Sequence, residues 1–415
     1  MSNLRNVDDA IADILSHIHP LGSEDIALPE SLGRILAADI VSDINLPPFA
    51  NSAMDGFAIK AHDSAHASPD NPTTLIITMD IPAGVTPNQA LQSGEAARIM
   101  TGAPVPEGAD AVIPVEATNA DFSQLDLSTL AKTVALYQAA SIGANIRSIG
   151  ENIRIGQTIL SSGTAIQPAD IGILASIGKS VIPVIRKPRV VIIGTGDELV
   201  ALDEPMTVGK IRDSNSYTLQ ALASQDGCET IRLPIAPDDS EAIRKLFNEA
   251  LALKPDVIIS SAGVSMGAAD YVRAILDEMG EIDFWRINMR PGKPVAFGHL
   301  GSIPFFGLPG NPVSAMVTYD VIVRPALLKL AQKPDVAHIV SAIAGERMAS
   351  DGRRTFARVT LRRENGELVA YATGTQSSGA LISMVKADGL LIIPENIQVV
   401  EVGTSLEVRL IRPIH

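Results

Sequence analysis

Cysteine is nearly absent from this 415-residue chain. Its single Cys228 excludes an internal disulfide framework and a cysteine-rich zinc or iron–sulfur site. Alone, that thiol reads as a small, partly buried apolar residue. Aromatic residues make up only 4%, with one tryptophan, so platforms for stacking bases are scarce. Positive charge is also short. Lys plus Arg is 33 against 47 for Asp plus Glu, a net charge of −14. Phosphate contacts along a nucleic acid need a basic surface, so no nucleic-acid partner is expected. An anionic ligand remains compatible, provided the positive charge that serves it is local. The seven histidines are scattered and form no HExxH; His17 and His19 read as surface residues. No apolar run is long enough to cross a bilayer, since the stretch 166–185 carries Asp170, Lys179 and two prolines. The start, MSNLRNVDDAIADIL, is acidic and lacks a secretory signal's apolar core. The expectation is a cytoplasmic protein with no membrane partner.

What is present is core. Hydrophobic residues reach 46% and charged residues 19%, enough for two to four folded domains. Val7, Ile11, Ile14, Leu15 and Ile18 recur at helical spacing, with Asn6 or Asp8 as cap and Pro20 and Gly22 as stop. A strand and a short helix are expected from Glu24 to about Val41. Residues 45–145 read as short strands broken by Pro and Gly, a mostly β insert. Pro168 starts a helix that Gly178 ends. Near residue 181 the grammar changes. Apolar strands at 189–193 and 257–260 alternate with helices at 215–223, 239–253 and 271–279, which predicts a parallel sheet wrapped by helices. After about residue 335 strands return, with Asn365-Gly366 as a type I′ hairpin turn.

The chemistry-bearing residues gather at strand ends. Gly194-Thr195-Gly196-Asp197-Glu198 follows the first apolar strand, and Ser261, Gly263, Val264, Ser265, Gly267 and Asp270 follow the other. Ligands of open α/β sheets sit outside such carboxyl ends, and glycines there let an oxyanion approach backbone N–H groups. Neither run is GxGxxG or a P-loop, so neither indicates NAD or ATP. Glu198, Asp238, Asp239 and Asp270 cluster at the same end. Carboxylates beside a phosphate cradle suit Mg²⁺, although Asp239 and Asp270 also stand where helix caps stand. Arg286, Arg290 and Lys293 place three cations in eight residues stiffened by prolines, a local anion site in an acidic chain. The turn Pro309-Gly310-Asn311-Pro312 feeds a helix and offers N–H groups to an anion. Two further rigid loops, around Asp55-Gly56 and around Thr101, frame polar groups.

Co-linear segments then carry a resemblance: NSAMDGFA (51–58), RIMTGAPVPEGADAVIPVE (98–116), GENIR (150–154), IIGTGDEL (192–199), KIRDSNSY (210–217), ISSAGVSMGAADY (259–271), RPGKP (290–294), FFGLPGNPVSA (305–315) and GTQSSGALISM (374–384). Together they resemble the molybdopterin molybdenumtransferase (MoeA) family, related to gephyrin. The resemblance implies a multidomain α/β plus β fold. A discontinuous linker domain would take 1–27 and 145–180, an inserted mostly β domain 28–144, a MogA-like α/β domain 181–331 and a C-terminal β-barrel-like domain 332–415. It implies ligation of molybdate to adenylylated molybdopterin with release of AMP, assisted by Mg²⁺ or Zn²⁺. The pterin's dithiolene sulfurs hold the metal, so the protein needs no Cys or His cluster.

By the same resemblance, Asp55, Thr101, Glu198 and Asp270 are the catalytic candidates, with Glu198, Asp238, Asp239 and Asp270 as metal ligands. The substrate set is Gly194, Thr195, Gly196, Asp197, Ser214, Asn215, Ser261, Gly263, Val264, Ser265, Gly267, Arg286, Arg290, Lys293, Pro309, Gly310, Asn311, Pro312, Ser377 and Ser378. A homodimer is implied, its active site shared with the partner's inserted domain, with transient contact to a molybdopterin adenylyltransferase and to apo molybdoenzymes. Departures are Arg286 and Arg290 where many members carry Lys, Asn152 in a GED turn, Ala262 for a glycine, and Phe57 for a tyrosine. The alternatives are a molybdopterin adenylyltransferase, which needs only the α/β part, and a non-catalytic scaffold of gephyrin type.

Overall fold

A computed structural model describes residues 4–122, 130–261 and 269–413. The chain forms two compact units, one of residues 1–24 and 184–415, the other of 25–183. Among the described residues no helix is long and apolar enough to cross a membrane.

Helix α1 (Val7–Ser16) begins where the Asn6 side chain accepts hydrogen bonds from the Asp8 and Asp9 N–H groups. Its Val7, Ala10 and Ile14 join the core of the first unit. His17 and His19 are exposed, as expected.

The second unit is built on five strands: β1 (Gly56–Ile59), β2 (Thr73–Ile81), β3 (Glu95–Ile99), β4 (Ala111–Pro114) and β5 (Thr133–Leu136). Their order is β4-β1-β3-β2-β5, with only β2 and β3 parallel. Both faces are covered. Phe57 and Ile59 pack with Ile77 and Ile113 on one side, while Ala58 packs with Met79, Ile81 and Ile99 on the other. Helix α2 (Pro168–Ser176) is fixed at its start by a reciprocal Gln167–Asp170 capping box.

Gly56 is not the turn residue that Asp55-Gly56 suggests. The bend falls at Ala53–Asp55, and Gly56 already opens β1. A Cβ there would lie 2.0 Å from the Ile113 carbonyl oxygen, so glycine is required by the close approach of β4.

In the first unit, a six-stranded sheet holds β6 (Arg189–Gly194), β7 (Glu229–Arg232), β8 (Val257–Ser261), β9 (Gly280–Arg286), β10 (Pro294–Leu300) and β11 (Ile303–Leu308). The order is β7-β6-β8-β11-β10-β9. The first four of these are mutually parallel; β10 and β9 extend the sheet antiparallel. The expected parallel sheet is thus its core, and the cation-rich segment 286–293 is the connection of the β9–β10 pair. The apolar run of β6 splits by parity. Val190 and Ile192 face the core that includes α1, while Val191 and Ile193 face α4 (Ser240–Ala252) and α5 (Ala269–Met279). Between β6 and β7 runs α3 (Asn215–Gln225). Cys228 lies in the first of these cores, and burial pushes its thiol up to about 12.

The C-terminal strands are β12 (Ile339–Ala344), β13 (Arg354–Glu364), β14 (Glu367–Ala372), β15 (Gly389–Ile393) and β16 (Ser405–Leu410). They pair in the order β13-β14-β12-β16-β15 and close on β13, a five-stranded barrel with no free edge. Asn365 and Gly366 both take positive φ, the type I′ turn that their dipeptide predicts. Ala357, Val359 and Leu361 point into the barrel; Phe356, of opposite parity, packs with the α/β core.

Replacing Gly56 with alanine forces β1 and β4 apart. We expect a loss of about 3 kcal/mol in chemical denaturation, with faster amide exchange confined to residues of the second unit.

Candidate active site

Three adjacent parallel strands, β6, β8 and β11, end side by side and deliver Gly194, Ser261 and the Pro309-Gly310 turn to one edge of the sheet. Ser261 is 1% exposed and its hydroxyl has no partner among the described residues. A buried hydroxyl left open at a strand end is a ready contact for a ligand. Gly263, Val264, Ser265 and Gly267 lie outside the described residues, as does the side chain of Asp270.

The Gly194 turn is held from beneath. Asp213, 2% exposed, accepts from the Ser216 N–H at 3.0 Å and from the Ser216 hydroxyl. It thereby satisfies an orphan donor in the first turn of α3. The same carboxylate lies 3.1 Å from where a Cβ on Gly194 would stand. Gly196 has φ +147°, and the Glu198 carboxylate folds over it, 2.6 Å from a Cβ position. Any side chain at 196 would displace Glu198.

Asp197 and Asp238 engage each other reciprocally. The Asp197 carboxylate accepts from the Asp238 N–H at 3.0 Å, and the Asp238 carboxylate from the Asp197 N–H at 3.4 Å. Asp239 is the helix cap of α4, accepting from the Ala242 N–H at 2.9 Å. Among the described residues no three carboxylates or imidazoles converge as a complete metal cage. The set fits the looser demand of Mg²⁺, which takes one or two protein carboxylates and completes its shell with phosphate oxygens and water.

Hydrogen bonds lace the site loops together. Asn215 donates to the Gly310 carbonyl at 2.7 Å. Asn311 donates to the Ser378 hydroxyl at 3.0 Å, and the Val313 N–H to the Ser378 carbonyl at 3.1 Å. Helix α6 (Pro312–Thr318) starts with Pro312 in its first turn. Ser377 in turn accepts from Arg358 at 3.2 Å.

Arg358 was not among the residues singled out by sequence, and it is the most informative one. Its side chain is among the largest fully buried in the chain. It donates to the Ser383 hydroxyl and the Ser377 carbonyl, both at 3.2 Å, and pairs with no carboxylate among the described residues. Burial, and then the charge of Arg290, bring its pKa down to about 10. At neutral pH the group is therefore a buried cation beside a second cation. Gln376 clamps its backbone with two 3.0 Å hydrogen bonds. The signal in the sequence was a lone arginine in the strand TFARVTL. Period-2 reading of a barrel strand sends it outward to solvent, but the segment 376–383 folds back over that face and supplies the hydrogen-bond partners of its side chain.

Arg290 lies on a two-residue strand, Met289–Arg290, paired parallel with the start of β13. Lys293 has no ion pair among the described residues, and Arg286 closes β9. The site's cations thus come from the β9–β10 connection and from the barrel.

Asp55 and Thr101 belong to the other compact unit, where they meet directly. The Asp55 carboxylate accepts from the Thr101 N–H at 2.6 Å and from its hydroxyl at 2.8 Å. Their loops are stitched together by Gly102 N–H to Ser52 carbonyl at 2.8 Å and Ser52 N–H to Ala103 carbonyl at 3.0 Å.

Family models match along the whole chain: "MoeA N-terminal region (domain I and II)" over residues 5–178, "Probable molybdopterin binding domain" over 191–329 and "MoeA C-terminal region (domain IV)" over 341–411. A molybdopterin molybdenumtransferase 2 of Mycobacterium tuberculosis is 35% identical across 98% of this chain and 99% of its own length. The chain belongs to the MoeA family. A Haemophilus influenzae molybdopterin molybdenumtransferase is 34% identical over 97% of each chain. The solved MoeA protein of Pyrococcus horikosii superposes with a TM-score of 0.83 at 31% identity, covering 99% of this chain and 100% of that one.

Within this MoeA chain, Asp213→Ala removes both acceptors of a buried N–H and hydroxyl. We expect about 1–3 kcal/mol of destabilisation in urea unfolding, with Ser216→Ala costing less because the hydroxyl leaves with its own demand.

Proposed function

We propose that this protein ligates molybdate to adenylylated molybdopterin and releases AMP, yielding the molybdenum cofactor. The observation that carries this reading is the carboxylate-free, buried Arg358 beside Arg290. Two guanidinium groups within Coulombic reach of each other, one of them buried, favour an oxyanion between them. Arginine forks match a tetrahedral dianion, and Lys293 adds a point charge. The turn at Gly194–Gly196 and the Ser261 hydroxyl offer donors to the pterin and phosphate groups of the substrate. The pterin brings its own sulfur ligands for molybdenum, in keeping with a chain that has one buried cysteine.

Glu198, Asp238 and Asp270 are the carboxylates we assign to Mg²⁺, with Zn²⁺ as a substitute; Asp239 is occupied as a cap. The ion would supply charge neutralisation at the phosphoanhydride. The protein's own contribution is positioning: Glu198 is fixed over Gly196, and Asp197 and Asp238 lock the two loops that flank it.

Asp55 and Thr101 are preorganised and solvent-facing in their own unit. We assign them to the active site of a second copy of the chain, where the Asp55 carboxylate would orient the attacking water or the ion's shell. This makes the functional species a homodimer. Light scattering is expected to give twice 43.7 kDa; a monomeric mass with full activity removes the shared site.

The primary test is AMP release from adenylylated molybdopterin, with and without molybdate, followed by reconstitution of an apo molybdoenzyme. Molybdate-dependent release is expected. Arg358→Ala should raise the half-saturating molybdate concentration roughly 10- to 100-fold, with Arg358→Lys intermediate. Pyrophosphate production from ATP would instead indicate an adenylyltransferase, and tight pterin binding without AMP release a scaffold.

A further inference from the structure

Beside the oxyanion site stands a carboxylate that belongs to neither the substrate set nor the metal set. Asp351 precedes β13 in the barrel domain. It grips the Arg353 guanidinium, accepting from Nε at 3.1 and 3.0 Å and from Nη2. Arg353 in turn donates from Nη1 to the Met289 carbonyl at 3.0 Å. Asp351 is therefore tied to the backbone that carries Arg290. Its Oδ2 also lies 3.9 Å from the Arg290 Nη1. That is too long for a hydrogen bond but within Coulombic reach. The Arg290 and Asp351 side chains are 41% and 39% exposed, so water competes for this contact and it is easily given up. The charge of Arg290 also reaches Arg358, whose pKa it helps to lower after burial.

We propose that Asp351 is a resident counter-ion for Arg290, standing in for the oxyanion when the site is empty and yielding Arg290 to it on binding. This rests on the reading of Arg290 and Arg358 as the molybdate site. The carboxylate performs two opposed tasks. It relieves the repulsion between two arginines in the free protein, and it charges an entry cost to any anion that takes Arg290. A tetrahedral dianion brings two negative charges and meets both guanidiniums, so it displaces the contact. A monoanion brings one and competes poorly. Asp351 need not move, because Arg353 holds it through Nε, Nη2 and its backbone N–H while Arg290 swings. It thus sets affinity and favours dianions, acting through Arg290 as a positioning residue.

The test uses purified full-length protein and sodium molybdate, read by isothermal titration calorimetry at low and high ionic strength, with thermal unfolding in parallel. Asp351→Asn keeps an acceptor for Arg353 and removes the charge. It should bind molybdate roughly two- to fivefold more tightly at low salt, and the gain should shrink as salt screens the exposed contact. Without anion the variant should melt lower than the wild type, and molybdate should raise its Tm by more. Asp351→Glu, which restores the charge, should return toward wild-type affinity. A purely structural carboxylate predicts the reverse, weaker binding in Asp351→Asn through loss of the Arg353–Met289 tether, and that result overturns the inference. Wild-type binding that Arg358→Ala weakens while Asp351→Asn leaves it unchanged also overturns it, with the molybdate site intact. A wild-type protein that binds no molybdate overturns the site reading and this inference together.

Discussion

A guanidinium sealed from solvent without a carboxylate partner among the described residues is the constraint around which the rest of the first unit is arranged. Burying an unpaired cation costs several kcal/mol unless donors are matched and a ligand supplies the missing charge. Here the Ser377 carbonyl and the Ser383 hydroxyl take two donors, and Gln376 fixes the strand that bears Arg358. An acidic chain of net charge −14 cannot attract an oxyanion by its overall field. On the proposed function it would do so by placing one cation, Arg358, where protein has excluded water, next to partly exposed ones such as Arg290, and it accepts a local loss of stability for that.

The same logic explains the lacing of the loops. Asp213, Asn215, Gly310, Asn311 and Ser378 form a run of contacts from the sheet's carboxyl edge to the barrel. Each link satisfies a polar group that would otherwise be stranded at a strand or helix end. Each also fixes a loop that would otherwise sample many conformations. Order is obtained here from hydrogen-bond closure rather than from additional apolar packing, which is why so many of these residues are Asn, Asp, Ser and Gly.

Much of this was legible in the sequence, and for identifiable reasons. The run RVVII can only be a strand covered on both faces, and β6 sorts Val190 and Ile192 from Val191 and Ile193 as period 2 requires. Asn365-Gly366 names its own turn. The glycine-flanked strand ends marked the site's edge, and the Arg286–Lys293 cluster marked its charge. Local pattern failed where the reason was tertiary. Gly56 looks like a turn glycine, yet it is explained by a carbonyl on a strand more than fifty positions away in sequence. Arg358 looks like a solvated barrel residue, yet the loop and helix after β14 fold over it through Gln376, Ser377 and Ser383. Asp213 looks like an N-terminal cap, and it is also the floor beneath the Gly194 turn. The antiparallel extension escapes a local reading because β9, GEIDFWR, follows its helix directly and alternates polar with apolar residues, unlike the continuous apolar runs of the parallel strands.

The barrel's closure has one more consequence. With no free edge, the five barrel strands are complete as a hydrogen-bonded object, and Arg290 reaches them from the β9–β10 connection through its short pairing with β13. The Arg290–Arg358 pair therefore exists in neither part alone. It forms only where barrel and sheet pack together, across the core that Phe356, Met384 and Leu390 share with the α/β strands. An anion bound there adds its binding energy to the docked state alone and none to the folding of either part. On the proposed function the ligand would act as a clasp between barrel and sheet, and occupancy of the site would report on whether they are joined.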